Sequence, residues 1–94
     1  RPIPFRNMIY IGDGLTDVPC MKLVKNNGGY SIAVYQQGGK EKVNELLKDH
    51  RVDFLADADY SAGSQLDDIV KDVIVKMAIA DKLHQKNKGQ MEKV

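Results

Sequence analysis

Two carboxylates four residues apart are the strongest candidates for chemistry in this 94-residue chain. Asp13 follows an apolar run, and Asp17 stands where a helix would begin. Carboxylates placed at a strand end and a helix start can turn toward one point, where Mg²⁺ prefers oxygen ligands and keeps several waters. Gly12 and Gly14 are expected to let the backbone bend that closely. Aspartate and glycine are also ordinary turn and cap residues, so the alternative is a turn without a ligand.

Thr16 lies between Asp13 and Asp17, and its side chain allows two interpretations. Its hydroxyl could contact a metal-bound water or a substrate phosphate. It could equally cap the following helix, since threonine accepts hydrogen bonds from free amides at a helix start. Gly14 and Thr16 are therefore candidate contacts for a substrate or for a metal-bound water.

The other reactive side chains favour structural roles. Asp57 and Asp59 form a second acidic pair, which we interpret as polar loop residues that satisfy backbone amides. Cys20 lacks a convincing catalytic partner, and a cysteine early in a helix is more often packed than reactive. His50 and His84 stand apart among lysines and are expected at the surface. The sequence therefore predicts no catalytic residue.

The elements that would position these residues alternate between strand and helix. Apolar runs rich in β-formers predict three strands, over residues 7–11, 30–35 and 52–56. Helices are predicted from Asp17 to Lys25, across Val43 to about His50, and from Ser64 onward, where Ser64 and Asp67 have capping-box spacing. The stretch 84–94 has no apolar stripe, so we predict a core portion over 1–85 and a flexible tail over 86–94.

Alternating strands and helices with short connections pack as a parallel sheet, because parallel neighbours need a crossover. The predicted class is α/β, a Rossmann-like parallel sheet of about three strands with flanking helices. Three strands make only half of a typical doubly wound domain. Because the chain begins at Arg1 with a strand-like run soon after, we expect a fragment of a larger protein.

The residues IPFRNMIYIGDGLTDVPCMKLVKNNGGYSIAVY, from Ile3 to Tyr35, resemble motif IV of the haloacid dehalogenase (HAD) superfamily. The later DADYSAGSQLDDIV segment is similar to the C-terminal part of phosphoserine-phosphatase-like members. The resemblance implies that Asp13 coordinates Mg²⁺ directly and that Asp17 helps to hold the metal's water shell. Thr16 replaces an asparagine that is frequent in related enzymes.

The same resemblance requires residues that this chain lacks. The family's nucleophilic aspartate, in a D-x-D-x-[TV] motif, and its phosphate-binding lysine are expected upstream of Arg1. The resemblance therefore implies a Mg²⁺-dependent phosphohydrolase fragment that supplies the acidic metal site and is inactive alone. The alternative is a non-catalytic α/β module that binds a cation or a partner protein.

Composition limits the partners. Fourteen Lys and Arg against thirteen Asp and Glu give a net charge of +1, which provides no strong field for nucleic acid or an anionic membrane. No apolar run approaches the roughly 20 residues of a membrane span. A single cysteine, Cys20, and the lack of a recognisable signal peptide predict a cytoplasmic protein. The expected partners are a phosphorylated small molecule in the parent enzyme, and a second copy or the missing N-terminal portion.

Overall fold

The computed structural model describes residues 3–94 and shows an α/β fold. Its elements run in the order β1 (Ile9–Gly12), α1 (Val18–Asn26), β2 (Tyr30–Tyr35), α2 (Lys40–Lys48), β3 (Phe54–Asp57) and α3 (Gln65–Met91). Short 3-10 turns at Phe5–Asn7 and Leu15–Asp17 precede β1 and α1. The strands of the described residues form a parallel sheet in the order β1-β2-β3. The predicted fold class is confirmed.

Side chains that alternate along β2 fill a core on each face of the sheet. On one face, α1 and α2 pack against Ala33 through the buried residues Met21, Val43 and Leu46. On the other face, Ile32 and Val34 pack with Ala56 and with Leu66 of α3. Both faces of the central strand are therefore covered, as a parallel sheet requires.

Two strand boundaries differ from the predictions, the first because a local hydrogen bond competes with the sheet. The first strand begins at Ile9 rather than at residue 7, since the Asn7 amide donates to the Pro4 carbonyl at 2.9 Å. The third begins at Phe54 rather than at residue 52. Asp53 lies just before β3, and its carboxylate accepts a 2.9 Å hydrogen bond from the Ser31 amide of β2.

Helix α3 begins as predicted but continues further. The Ser64 hydroxyl accepts a 3.1 Å hydrogen bond from the Asp67 amide, which confirms the predicted cap. The sequence favoured loss of regular structure after residue 84, whereas the helix runs through Met91. No end of secondary structure marks the boundary predicted near residue 85, and flexibility of 86–94 remains a prediction. Among residues 3–94, none of the helices is long and apolar enough to cross a membrane.

Candidate metal centre

The turn between β1 and α1 places the acidic pair at the carboxyl end of a parallel strand. Open α/β sheets bind ligands beyond this edge. Asp13 and Gly14 follow β1 directly, and the 3-10 turn Leu15–Asp17 leads into α1. Pro19 occupies the first turn of α1, where no amide donor is needed. The local chain therefore folds as its residue types predict.

The Asp17 carboxylate closes this turn. Its Oδ2 atom accepts hydrogen bonds from the amides of Asp13, at 3.1 Å, and Gly14, at 3.2 Å. Its Oδ1 atom accepts a 2.8 Å hydrogen bond from the Tyr10 hydroxyl on β1. Asp17 occupies the N-cap position of α1, yet its side chain binds the preceding amides and caps no helix amide. Both of its oxygens are thus engaged by protein donors.

These hydrogen bonds shift the pKa of both side chains in opposite directions. The Tyr10 hydroxyl, and then the Gly14 and Asp13 amides, lower the pKa of the Asp17 carboxyl against the opposing effect of burial. The hydrogen bond to Asp17 is the main cause that raises the pKa of Tyr10 to about 12, with further contributions from burial and the nearby Cys20 thiol. Asp17 is therefore held ionised and Tyr10 protonated near neutral pH.

The expectation that glycine permits a close approach of the backbone is confirmed for Gly12, which matters for its lack of a side chain, but not for Gly14. The glycines with positive φ within residues 3–94 are Gly28, Gly38 and Gly63. A Cβ atom at Gly12 would lie 2.6 Å from Met21 Cε and 2.7 Å from Asp17 Cβ. Close approach of Asp17 to the strand end therefore requires glycine at position 12. Gly14 has extended backbone (φ −148°) and room for a Cβ atom.

Asp13 differs from Asp17 because its carboxylate is available. The residue is exposed, and within residues 3–94 only its backbone amide takes part in the hydrogen bonds of the turn. Thr16 is also exposed and lies inside the 3-10 turn. The N-cap position belongs to Asp17, so the capping interpretation of Thr16 is wrong. The turn thus presents one free carboxylate beside one that is fixed.

The second acidic pair reaches the same edge but a different strand. Asp57 ends β3, which β2 separates from β1, so about 10 Å of sheet lies between the two strand ends. Asp59 is engaged locally, because its Oδ1 atom accepts hydrogen bonds from the Ser61 amide and hydroxyl at 3.0 and 2.6 Å. These bonds lower the pKa of the Asp59 carboxyl. The interpretation of Asp59 as a polar loop residue is confirmed.

The described part of the chain contains no cluster of three or more His, Cys, Asp or Glu side chains suited to a metal ion. Asp13 and Asp17 alone match the one or two carboxylates with which proteins bind Mg²⁺, whose other positions are filled by water and substrate oxygens. Of this pair, Asp13 presents the available carboxylate, because both oxygens of Asp17 already accept protein hydrogen bonds.

Sequence reasoning missed Tyr10 and Lys40. The Tyr10 hydroxyl donates a hydrogen bond that fixes Asp17, and the sequence signal was a tyrosine within a predicted strand, where a partly buried hydroxyl needs a partner. Lys40 begins α2 after the carboxyl end of β2 and places its Nζ atom 6.0 Å from the centre of the Tyr35 ring. It brings a cation to the edge that carries Asp13, and the Gly38-Gly39-Lys40 helix start was the sequence signal.

Comparisons with known proteins identify a relative of this chain. A protein of Borreliella burgdorferi (strain ATCC 35210 / DSM 4680 / CIP 102532 / B31), named "Uncharacterized protein", is 35% identical to this chain over 69 residues. The match covers 70% of this chain, and the chain spans only 24% of that protein's length. No protein-family model matches the chain. No solved structure matches it.

Proposed function

We propose that this chain is the Mg²⁺-binding portion of a HAD-type phosphohydrolase and is inactive alone. The strongest support for the proposal is the arrangement of side chains and hydrogen bonds in the GDGLTD turn, residues 12–17. Asp13 offers a free carboxylate at the carboxyl end of β1, and Asp17 fixes the turn through three hydrogen bonds. The parallel sheet places this turn where α/β enzymes bind their substrates.

The two aspartates have different roles in this proposal. Asp13 is a direct Mg²⁺ ligand. Asp17, whose oxygens already accept three protein hydrogen bonds, positions the Asp13 backbone and orients water beside the metal. Gly14 and Thr16 line the approach of the phosphate. Bound Mg²⁺ would reduce the repulsion between an anionic nucleophile and the phosphate.

The remaining groups of the site belong to another part of the polypeptide. Within residues 3–94, β1 pairs only with β2, so one edge of the strand that carries the acidic turn is free to pair. A segment with the nucleophilic aspartate would dock along that edge and bring its carboxylate close to Asp13. The greater length of the Borreliella relative agrees with a larger parent. Its substrate would be a phosphorylated small molecule, and the single Cys20 favours a cytoplasmic location.

Mg²⁺ titration by calorimetry tests the assignment of Asp13 and Asp17. We expect Asp13→Asn to abolish measurable Mg²⁺ binding, and Asp17→Asn to weaken it about 10- to 100-fold, as loss of a supporting ligand contact does. Asp59→Asn is the matched control, because it removes one carboxylate from another loop at the same edge. Equal Mg²⁺ affinity in the wild type and Asp13→Asn would refute the proposed site.

The rival function is a non-catalytic cation- or partner-binding module. It is favoured by the two buried clusters, which show that the sheet covers both of its faces with its own helices. Hydrolysis of a generic aryl phosphate distinguishes the two functions. The enzyme proposal predicts negligible turnover by the 94-residue chain and Mg²⁺-dependent turnover by the protein from the full gene. Robust turnover by the chain alone would contradict its assignment as an inactive portion, and an inactive full-length protein would favour the module.

A further inference from the structure

Helix α3 extends well beyond the body that it packs against. Its buried residues are Leu66 and Val73, and Met77 is half-buried. Every residue from Ala78 to Lys88 is exposed. The molecule measures 57 × 29 × 24 Å, and a 27-residue helix alone accounts for about 40 Å of that length. Half of the helix therefore lacks the tertiary packing that usually keeps helices stable.

This helix carries an apolar stripe that is separate from the one facing the sheet. Val75, Ile79 and Leu83 follow one another at four-residue intervals, so their side chains lie along one face. They are 61%, 52% and 59% exposed. At about 100° per residue, Val75 lies roughly opposite Leu66, which packs on the sheet. The fold of a single chain leaves this stripe in water.

The charges at the two ends of the stripe are opposite. Asp72 precedes Val75 by three residues, and Lys86 follows Leu83 by three, so both lie on the same face, and both are exposed. The residues of this face, Asp72, Val75, Ile79, Leu83 and Lys86, are thus symmetric in spacing and opposite in charge about Ile79. A surface of this kind is complementary to itself when rotated by a two-fold axis.

We propose that this stripe binds a second copy of the chain as an antiparallel helix pair. Ile79 would lie on the two-fold axis, with Val75 of each copy against Leu83 of the other. Asp72 would then lie beside Lys86 at both ends, an attractive pair. A parallel pair would place Asp72 against Asp72 and Lys86 against Lys86, which is repulsive. This dimer does not depend on the metal site or on the free edge of β1.

Three apolar layers form a small interface, below the roughly 1,600 Å² buried by standard complexes, so we expect weak, micromolar association. Sedimentation equilibrium across the micromolar range is the first measurement. We expect Ile79→Glu to weaken dimerisation at least about tenfold, because two carboxylates would meet on the axis. Ile74→Glu is the matched control, since Ile74 is 53% exposed on the same helix but outside the stripe.

Charge reversal separates docking from an effect on folding. Asp72→Lys and Lys86→Asp should each weaken the dimer, and the double variant should restore it, because only the double variant has opposite charges at both ends again. Circular dichroism verifies that each variant keeps its helix. A monomeric wild type at roughly millimolar concentration would overturn the proposal, as would equal weakening by Ile74→Glu and Ile79→Glu or failure of the double variant to recover.

Disulfide trapping tests the orientation. In a Cys20→Ser background, the antiparallel pair predicts that a mixture of Val75→Cys and Leu83→Cys chains oxidises to the mixed dimer. Each variant alone should cross-link poorly. Preferential cross-linking of each variant with itself would show a parallel pair and refute the proposed geometry. Dimerisation that survives Ile79→Glu would assign self-association to another surface, such as the edge of β1.

Discussion

The β1–α1 turn and the β3–α3 loop carry similar residues at the same edge of the sheet, yet they are anchored differently. In each, an aspartate near the helix start accepts a hydrogen bond from an amide four residues earlier: Asp17 from Asp13, and Asp67 from Gly63. Asp17 is also bound by Tyr10 of the sheet. Asp67 instead forms an ion pair with Lys71 at 2.9 Å, whose side chain is 69% exposed.

The difference shows that residue types alone do not identify a site in such loops. Each loop, taken together with the first turn of the helix that follows it, contains two exposed or half-buried aspartates, glycine and a hydroxyl side chain. Only in the first loop is the carboxylate near the helix start, that of Asp17, also hydrogen-bonded to a strand. The other carboxylate of this loop, that of Asp13, has no local partner. In the second loop, Ser61 engages Asp59. The anchored loop is therefore the better candidate for holding a ligand.

The largest effect on stability is expected when a side chain is added at Gly12. Gly12→Ala places a Cβ atom against Asp17 and Met21. The Met21 side chain can move aside, but Asp17 cannot move without breaking its hydrogen bond from the Tyr10 hydroxyl. We expect a loss of about 1–3 kcal/mol in the free energy of unfolding, measured by urea denaturation, together with weaker Mg²⁺ binding.

Substitutions at two other glycines, Gly14 and Gly63, test whether steric exclusion explains the effect at Gly12. Gly14→Ala should change the free energy of unfolding by less than about 0.5 kcal/mol, since its backbone is extended and its Cβ atom would be 3.8 Å from Thr16 Oγ1. In the second loop, Gly63→Ala meets no atom within 4 Å but keeps φ at +84°, so backbone strain should cost about 1–2 kcal/mol. If Gly14→Ala destabilised the protein as much as Gly12→Ala, steric exclusion at Gly12 would not be the cause.

A smaller effect is expected from the helix cap of the second loop. Ser64→Ala removes the acceptor of the Asp67 amide and should cost about 1 kcal/mol of unfolding free energy, measured by thermal or urea denaturation. Ser61→Ala is the control, because Ser61 binds only within the exposed loop. Mg²⁺ affinity should not change in either variant. A change in affinity would show that the second loop takes part in the metal site.

The smallest change in stability is expected when the pH is varied near neutrality, because the contribution of the Tyr10–Asp17 pair is lost only at extreme pH. The lowered pKa of Asp17 means that its contribution is present above about 3.9 and is lost as the pH falls through the folded pKa. The raised pKa of Tyr10 means that its contribution is present below about 10 and is lost as the pH rises toward 12.

Tyrosinate absorbance measures this pair directly. One of the four tyrosines should ionise near pH 12, and Asp17→Asn should return its pKa toward the usual value near 10. Tyr10→Phe should remove that transition and identifies the residue. Identical titration curves for the wild type and Asp17→Asn would show that the hydrogen bond does not hold Tyr10 protonated.

Much of the fold could be predicted because its signals are local. The β-formers of residues 30–35 gave the bounds of β2, and the Ser64 cap gave the start of α3. The alternation of strands and helices predicted a parallel sheet, since crossover connections have few other solutions. The placement of Asp13 at a strand end followed from the same pattern.

The sequence by itself determined the α/β class, the order of the elements and the acidic turn after the first strand, because propensity, periodicity and capping act within a few residues of the chain. Only the tertiary structure decided what Asp17 binds, why Gly12 must be glycine, and how far α3 extends. Each of these depends on groups brought together across elements. The hydrogen bond from Tyr10 and the packing of Met21 have no signature in local spacing, and a helix can continue past its core when its amides remain paired along the helix itself.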